Sequence, residues 1–239
     1  MIAPVVLPIR NLDPQCYAAY IGKPFDCRRG VSFGATPAAD SADALFLRSL
    51  GFSQIFFLNQ VHGATIVTAE ILRSGAVPEA DGIFIKKQHL AACPGVAFGI
   101  RTADCLPIYI ETQSSILLLH GGWRSIAAGI CAEALRLIPH ERIEQLVIGP
   151  AACGSCYEVG QEVVDAVHNP VYQPRPDAPT LYVDLPQTVL KFFREHKQVV
   201  ELGSFPVCTI TDTAWHSHRR EKDARGSNLL LCGNPLRSK

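Results

Sequence analysis

The sequence predicts an α+β fold in which mixed β-sheets are layered between helices. Two observations favour this class: predicted strands outnumber predicted helices, and the two do not alternate regularly. Regular alternation would instead favour a doubly wound parallel sheet. The composition, with 48% of the residues hydrophobic and 18% charged, provides ample material for a packed core. The length of 239 residues is within the range of one large domain, so residues 1–239 are expected to form a single domain.

The elements of the first half are predicted from apolar spacing and turn residues. Residues 41–51 have helical spacing and end at a glycine. Residues 54–70 indicate two strands around a polar turn, and residues 81–87 a short strand. Residues 95–111 indicate a buried strand, a break near Asp104 to Pro107, and a second strand. This half is therefore expected to be rich in strands.

The second half is expected to contain most of the helices. Helices are predicted over 124–138, 161–168 and 185–197. Strands are predicted over 114–120 and 207–220, and a further strand at the start of 145–160 leads into a cysteine-bearing loop. The proline-rich stretch 169–180 is predicted to be a loop that forms a flexible rim.

Charge and composition exclude several classes of partner. Lysine plus arginine equals aspartate plus glutamate, at 22 each, so no global field favours nucleic acid or an anionic membrane. The chain has no apolar run of the roughly 18 residues that a membrane span needs. The N-terminal stretch lacks a basic leader, which favours a cytoplasmic protein. The chain has no G-x-G-x-x-G after its first strands and no Walker-type loop, so dinucleotide and nucleoside-triphosphate chemistry lack their usual motifs.

Most of the nine cysteines are expected to be plain thiols, because the chain is too large to need disulfides and a cytoplasm is reducing. Buried thiols are predicted at Cys16, Cys27, Cys93, Cys131, Cys208 and Cys232. The segment CGSC at 153–156 has the spacing of a redox C-x-x-C pair, but the thioredoxin setting is not evident, and no second C-x-x-C completes a structural zinc site.

Three residues of metal-binding type each lie at an interruption of regular structure. His62 is in the polar turn NQVHG, Cys105 is in the break TADCLP, and His120 ends the strand LLLHGG. Side chains at such points can converge on a cleft. Two imidazoles and one thiolate make a three-ligand zinc set with one open position. Alternatively, Cys105 and one histidine form a nucleophile–base pair, or all three are an ordinary buried thiol and two hydrogen-bonded histidines.

The neighbours of these residues refine the hypothesis. Asp104 directly precedes Cys105 and would disfavour a thiolate, so a functional Cys105 needs a zinc ion or a protonated histidine beside it. Arg124 opens a helix after Gly-Gly and can hold an anion such as phosphate, and Arg101 can point toward the same cleft. His216 and His218 are expected on one strand face, in hydrogen bonds or at a pocket edge rather than as a metal pair.

Six motifs, in order along the chain, resemble the laccase-domain family, also called multicopper polyphenol oxidoreductase or laccase-domain purine nucleoside phosphorylase. They are NQVHGATIV, ADGIFI, RTADCLPIYI, HGGWRS, VIGPAACGSCYEVG and SHRR, and they span roughly residues 52–220. The resemblance implies a sandwich of mixed sheets between helices, similar to a cysteine-hydrolase-like toxin domain. It also implies a zinc ion held by His62, Cys105 and His120.

The resemblance implies three possible activities. Family members are credited with phosphorolysis of adenosine, inosine and methylthioadenosine and with adenosine deamination; some bacterial members are linked to correcting peptidoglycan precursors; and the older name implies copper-dependent phenol oxidation. Two positions depart from the family's H-A-G-W-R-G motif, at Gly121 and Ser125, both small enough to keep the turn. In the N-terminal region, GVSFG at 30–34 is similar to the family's G-G-V-S segment, and the resemblance implies a substrate contact by Ser32.

The leading hypothesis is therefore a zinc-dependent purine nucleoside phosphorylase, with adenosine deaminase and methylthioadenosine phosphorylase activity, acting on a small nucleoside and phosphate. Zinc would lower the pKa of bound water toward ~7, His62 or Asp81 would move protons, and Arg101 and Arg124 would hold phosphate. Zinc is favoured over copper because only one tight histidine pair and one methionine, Met1, are present. An amidohydrolase that edits peptidoglycan precursors with Cys105 as nucleophile, a copper polyphenol oxidase and a non-catalytic binding module remain as alternatives.

Overall fold

The computed structural model describes residues 4–10, 13–26, 41–174, 181–224 and 226–236. The elements of the first half are β1 (Val6–Ile9), β2 (Tyr17–Ile21), α1 (Ala42–Ser49), β3 (Gln54–Phe57), β4 (Ile66–Thr68), α2 (Ala69–Arg73), β5 (Gly82–Lys86), α3 (Lys87–Ala91), β6 (Val96–Thr102), β7 (Leu106–Thr112) and β8 (Ser115–Gly121). None of the helices in these ranges combines the length and apolarity needed to cross a membrane.

The second half begins with two consecutive short helices. Its elements are α4 (Trp123–Ala127), α5 (Ile130–Leu137), β9 (Ile143–Ile148), β10 (Glu158–Val159), α6 (Gln161–Ala166), β11 (Tyr172–Pro174), β12 (Leu181–Val183), α7 (Leu185–His196), β13 (Val199–Ser204), α8 (His218–Glu221), a 3-10 turn over Lys222–Ala224, and β14 (Asn228–Asn234).

Two mixed sheets dominate the fold. A six-stranded sheet has the order β13-β9-β7-β8-β5-β4, a five-stranded sheet has the order β1-β2-β14-β6-β3, and β10, β12 and β11 form a small third sheet. Parallel pairs, β4 with β5 and β9 with β13, lie at the two edges of the six-stranded sheet, and its centre is antiparallel. The predicted α+β class with mixed sheets is confirmed.

The hydrophobic core lies in three layers. Alternate residues of β8 show why: Leu118 packs in a cluster that contains residues of both large sheets, whereas Leu117 packs on the opposite face with α5 and α7. All seven residues of β8 are buried, as expected of a strand covered on both faces. A third cluster joins Leu47 of α1 to the outer face of the five-stranded sheet. Helices therefore cover the outer faces of both sheets.

Most predicted elements are confirmed, and three predictions are wrong. The single helix over 124–138 is two helices, because Gly129 adopts a φ of +90° between them. The late strand over 207–220 is a series of turns followed by α8, because the backbone N–H of Asp212 donates to Cys208 O and the N–H of Trp215 to Asp212 O. The loop over 169–180 contains strand β11, and residues 175–180 lie outside the described residues.

Seven strands of the structure were not predicted: β1, β2, β10, β11, β12, β13 and β14. Strand β14 is the centre of the five-stranded sheet, with β2 on one side and β6 on the other. It closes that sheet by pairing residues more than 120 positions apart, such as Leu230 with Ile100. A pairing of that separation leaves no local signal in the sequence.

Candidate functional site

Four polar residues meet at one end of the six-stranded sheet because of strand direction and register. Cys105 precedes β7 and His120 lies near the end of β8; these strands are antiparallel, with Pro107 opposite His120. Asp81 directly precedes β5, and its carbonyl accepts the backbone N–H of His120 at 2.8 Å. The loop before β4, which is parallel to β5, brings His62 to the same end. The sheet thus assembles residues up to 58 positions apart.

His62, Cys105 and His120 form a compact group of potential ligands. One ligand atom from each lies within 4.8 Å of the other two. The two imidazole rings are 4.8 Å apart, centroid to centroid, at 70°. Gly122 completes the group, because a Cβ at that position would stand 3.0 Å from His62 Cδ2 and 3.2 Å from Cys105 Sγ. The glycine after β8 therefore keeps the space in front of the thiol open.

Asp81 positions both histidines, His120 through its ring and His62 through its backbone. Its carboxylate is completely buried and accepts the ring Nδ1–H of His120 at 2.8 Å. It also accepts the backbone N–H groups of Val61, His62 and Gly63, at 3.2, 3.0 and 2.6 Å. His62 has a φ of +62°, a left-handed conformation that turns these consecutive amides toward one anion. The bond to Nδ1 leaves Nε2 of His120 available to a ligand.

The electrostatics of the group favour a thiolate beside an imidazolium. Burial opposes ionisation of Cys105, but the charge of His120 and hydrogen bonds with both histidines lower the pKa of the thiol from 9.0 to about 6. Burial likewise opposes the charge on His120, but Cys105 and Asp81 raise the pKa of its imidazole from 6.5 to about 9. Burial of Asp81 is outweighed by its hydrogen bonds with His120 and the backbone, which lower the pKa of the carboxyl.

Asp104 faces away from the thiol that follows it. With a φ of +86°, it turns the chain ahead of β7. Its buried carboxylate accepts the hydroxyl of Thr209 at 2.6 Å and the backbone N–H of Arg219 at 2.7 Å. Asp104 therefore attaches the segment 208–221 to the site, and His120 supplies the positive charge that Cys105 needs.

A cavity of about 610 Å³ is lined by the two residues that directly follow Gly122 in the chain, Trp123 and Arg124. Tyr157 and Arg219 also line this cavity. The Arg124 guanidinium lies 4.2 Å from the Trp123 ring centroid, and that of Arg219 lies 5.0 Å from the Tyr157 ring centroid. Burial and then the negative charge of Cys105 raise the pKa of Tyr157, so this wall of the cavity is within electrostatic reach of the thiol.

Two predicted site residues, Arg101 and Ser32, and the histidine pair remain to be placed. Arg101 donates to Leu58 O at 3.2 Å and lies over the Phe57 ring, while Ser32 is outside the described residues. His216 is buried and its Nε2 lies 2.9 Å from Phe25 O, so the predicted hydrogen bonding is confirmed. His218 is exposed on α8, not on a strand, so the shared strand face is wrong. Arg219 was missed, since the run SHRR gives no sign of what its segment packs against.

The two departures from the family motif fit the structure differently. A Cβ at Gly121 would stand 2.9 Å from Ile108 Cδ1 and 3.0 Å from Leu106 Cβ, so the neighbouring strand occupies the space of an alanine methyl group. Ser125 is completely buried within α4. Among the described residues, its hydroxyl has no hydrogen-bond partner. The turn from β8 into α4 is kept, as expected from the small size of both residues.

The structure completes the C-x-x-C segment with a third cysteine. Ligand atoms of Cys153, Cys156 and Cys208 lie within 4.8 Å of one another. Burial opposes ionisation of Cys208, but hydrogen bonds with Cys153 and with backbone N–H groups lower its pKa to about 7. Burial and Cys153 raise the pKa of Cys156 to about 11.

The predicted burial of six cysteines is confirmed for four of them, namely Cys16, Cys93, Cys131 and Cys232. Cys208 is partly exposed rather than buried, and Cys27 lies outside the described residues.

Comparison with solved structures places the fold among known ones. The crystal structure of YlmD from Geobacillus stearothermophilus superposes with a TM-score of 0.74, covering 96% of each chain at 23% identity. A Neisseria meningitidis protein of the DUF152 family model gives a TM-score of 0.74, covering 97% of this chain and 99% of that one at 22% identity. Both likenesses concern the fold.

Sequence comparison identifies the family. The chain is 34% identical over 175 residues to a purine nucleoside phosphorylase of Pseudomonas aeruginosa, covering 69% of this chain and 68% of that protein. It is 29% identical over 229 residues to a purine nucleoside phosphorylase of Mycobacterium tuberculosis, covering 91% and 89%. The family model for multi-copper polyphenol oxidoreductase laccase matches residues 36–233. The chain therefore belongs to the multi-copper polyphenol oxidoreductase laccase family.

Proposed function

We propose that this protein is a zinc-dependent purine nucleoside phosphorylase. The observation that carries the proposal is the group of His62, Cys105 and His120 beside a cavity that presents Arg124 and Arg219. The names of the relatives support the same activity. A cytoplasmic location goes with it, because the eight cysteines in the described residues are free thiols, as is usual in a reducing compartment.

The donor set fits zinc. Two imidazoles and a thiolate are ligands that Zn²⁺ accepts, and three protein ligands leave the open position of a catalytic site. Asp81 holds His120 in the tautomer that presents Nε2, as carboxylates commonly do for metal-binding histidines. When bound, zinc supplies Lewis acidity that polarises a substrate atom. Copper fits less well, because the sequence offers a single methionine, Met1, as an axial sulfur ligand.

The cavity residues suit a nucleoside and a phosphate. Arg124 and Arg219 present planar guanidinium donors that bind phosphate oxygens in pairs. Trp123 and Tyr157, each with a guanidinium over one ring face, add aromatic surface for a purine. In phosphorolysis a phosphate oxygen forms a bond to ribose C1′ while the bond from C1′ to the base nitrogen breaks, and that electron pair passes to the base, which takes up a proton. The arginines would hold the incoming phosphate, and the aromatic residues would orient the departing base.

The proposal extends to methylthioadenosine phosphorolysis and to adenosine deamination. The first needs the same phosphate and base contacts and differs only at the 5′ position of the sugar. Deamination needs a group that carries protons between water and the purine ring. Asp81 is ill suited to that task, because its two oxygens already accept four hydrogen bonds. Glu158 and Glu162 line the cavity and are better placed to carry protons.

The test is an assay of the zinc-loaded protein with inosine, adenosine and methylthioadenosine, each with and without phosphate. Phosphorolysis gives free base and a ribose 1-phosphate only when phosphate is present, whereas deamination of adenosine gives inosine in its absence. Cys105→Ala should abolish both, and Cys131→Ala, which removes a thiol buried in α5, should abolish neither. A zinc-loaded wild-type protein that turns over none of the three nucleosides would rule the proposal out.

A second candidate is a cysteine amidohydrolase that edits peptidoglycan precursors. The lowered pKa of Cys105 and the raised pKa of His120 favour it, because a thiolate–imidazolium pair is the ground state of a cysteine nucleophile. The two candidates differ in their response to metal. A nucleophilic thiolate works in chelator and is blocked by iodoacetamide, whereas the phosphorylase needs zinc, which protects Cys105 from alkylation. Oxidation of a phenol only with copper would instead favour the polyphenol oxidase.

A further inference from the structure

Three cysteines outside the His62 group meet at the same end of the six-stranded sheet. Cys153 and Cys156 lie in the loop after β9, and Cys208 follows β13, which is parallel to β9. Their ligand atoms lie within 4.8 Å of one another, and all three residues are half-buried. An ion can therefore reach them without unfolding of the chain.

The backbone brings the sulfurs together. The N–H of Cys156 donates to Cys153 O at 3.0 Å, which closes a tight turn between the first two cysteines. The third is held by pairing of Ala151 with Cys208, in which the N–H of Thr209 donates to Ala151 O at 3.0 Å. The N–H of Cys153 donates to Cys208 Sγ at 3.4 Å. Amide donors of this kind stabilise a thiolate sulfur.

The spacing suits a single ion. A zinc–sulfur bond of about 2.3 Å in a tetrahedral site separates two sulfurs by about 3.8 Å. Ligand atoms within 4.8 Å reach that separation through side-chain rotation or small backbone shifts. A cavity of about 290 Å³, lined by Cys153 and Cys208 among others, lies beside the sulfurs and gives room for water as a fourth ligand.

We propose that Cys153, Cys156 and Cys208 form a second metal site, which binds a thiophilic divalent ion of the Zn²⁺ type through three thiolates. Binding replaces the thiol protons, which pass to solvent, so no oxidant or reductant is needed. A disulfide is the competing chemistry, but it would join only two of the three sulfurs and would require an oxidant. The site is independent of the proposed phosphorylase activity.

The experiment separates this site from the first by removing one ligand from each. Wild-type, Cys105→Ala, Cys208→Ser and the double variant are kept in a phosphine reductant, stripped with chelator, reloaded with Zn²⁺ and desalted. We expect about one zinc per chain in Cys105→Ala and none in the double variant. Cys131→Ser in the Cys105→Ala background is the matched control and should keep its zinc. Folded Cys105→Ala that retains no zinc overturns the proposal.

Two further measurements protect the test from misfolding of Cys208→Ser. Cobalt bound to Cys105→Ala should give the intense thiolate-to-metal absorption of several sulfur ligands, and Cys156→Ser should weaken it. Zinc should also slow alkylation of these three cysteines in Cys105→Ala at least about tenfold, as read by peptide mass spectrometry. The alkylation rate of a free small-molecule thiol, measured as a control, should not change. Equal alkylation with and without zinc, or a disulfide between two of the three under reductant, contradicts a metal site.

Discussion

The two side-chain groups at the end of the six-stranded sheet are built on opposite plans. The His62 group mixes two imidazoles with one thiol and is oriented by the buried carboxylate of Asp81. The sulfur group of Cys153, Cys156 and Cys208 is oriented by backbone amides. A carboxylate bonded to a histidine raises the basicity of that ligand, as is common in catalytic metal sites. Thiolates positioned by backbone amides are instead typical of structural sites.

The largest expected effect distinguishes the groups by activity. Cys105→Ala should lower kcat/KM for nucleoside phosphorolysis by more than about 10²-fold, because even the loss of a residue behind a metal ligand costs 10–100-fold. Cys208→Ala should leave it within about threefold, since that thiol lies outside the arginine-bearing cavity. Steady-state rates with saturating phosphate measure both. Equal losses would show that the two groups act as one unit and would end the comparison.

The next effect tests whether Asp81 positions a ligand. Asp81→Asn keeps the shape of the side chain but removes its charge, and we expect zinc affinity to fall about 10–100-fold. Excess zinc should then restore most of the activity, which it cannot do for Cys105→Ala. Titration of activity against free zinc measures the shift, with the exposed Asp165→Asn as control. Activity that stays low at saturating zinc would mean that Asp81 takes part in the reaction itself.

The contrast between the groups also explains what could be predicted from the sequence. His62, Cys105 and His120 were predicted because each interrupts an apolar strand, and such interruptions mark strand ends. The central strands β5 to β9 were predicted from local apolar runs. Cys208 was missed as a partner of Cys153 because 55 residues separate them and β13 went unpredicted. The segment 207–220 contains β-branched residues that suggest a strand, but its own hydrogen bonds fold it into turns.

A smaller effect concerns the arginines, which belong to the cavity of the first group only. Arg219→Met should raise the KM for phosphate about tenfold with little change in kcat, because a hydrogen bond to a charged group is worth roughly 1.5–3 kcal/mol. Arg124→Met should act likewise, while Arg73→Met, on the exposed face of α2, should not. A loss confined to kcat would instead place the guanidinium at the transition state. A loss of zinc from the sulfur group in Arg219→Met would show that the two groups share the segment 208–221 energetically.

The smallest effect is expected at Glu221, the last residue of the segment 208–221, and it concerns stability. Glu221 pairs with Lys23 and accepts a hydrogen bond from Arg220 at 2.8 Å. Burial opposes its charge, but these two cations lower the pKa of the carboxyl from 4.5 to about 2. The unfolded chain therefore binds more protons between these values, so the stabilisation is complete above about pH 4.5 and is lost as the pH falls toward 2.

Glu221→Gln should accordingly reduce the free energy of unfolding at pH 7 by about 1–2 kcal/mol, which is less than the pKa shift alone implies because solvent screens a pair near the surface. The difference from wild type should shrink as the pH is lowered below about 4.5, because the wild-type carboxyl then becomes protonated as well. Urea unfolding across pH measures it, with the exposed Glu195→Gln as control. Because Arg220 also donates to the carbonyls of Thr209 and Ile210, next to Cys208, a loosened Glu221 should release zinc from the sulfur group before the His62 group. The reverse order of release would show that the segment 208–221 supports the His62 group through Asp104 more than it supports the three sulfurs.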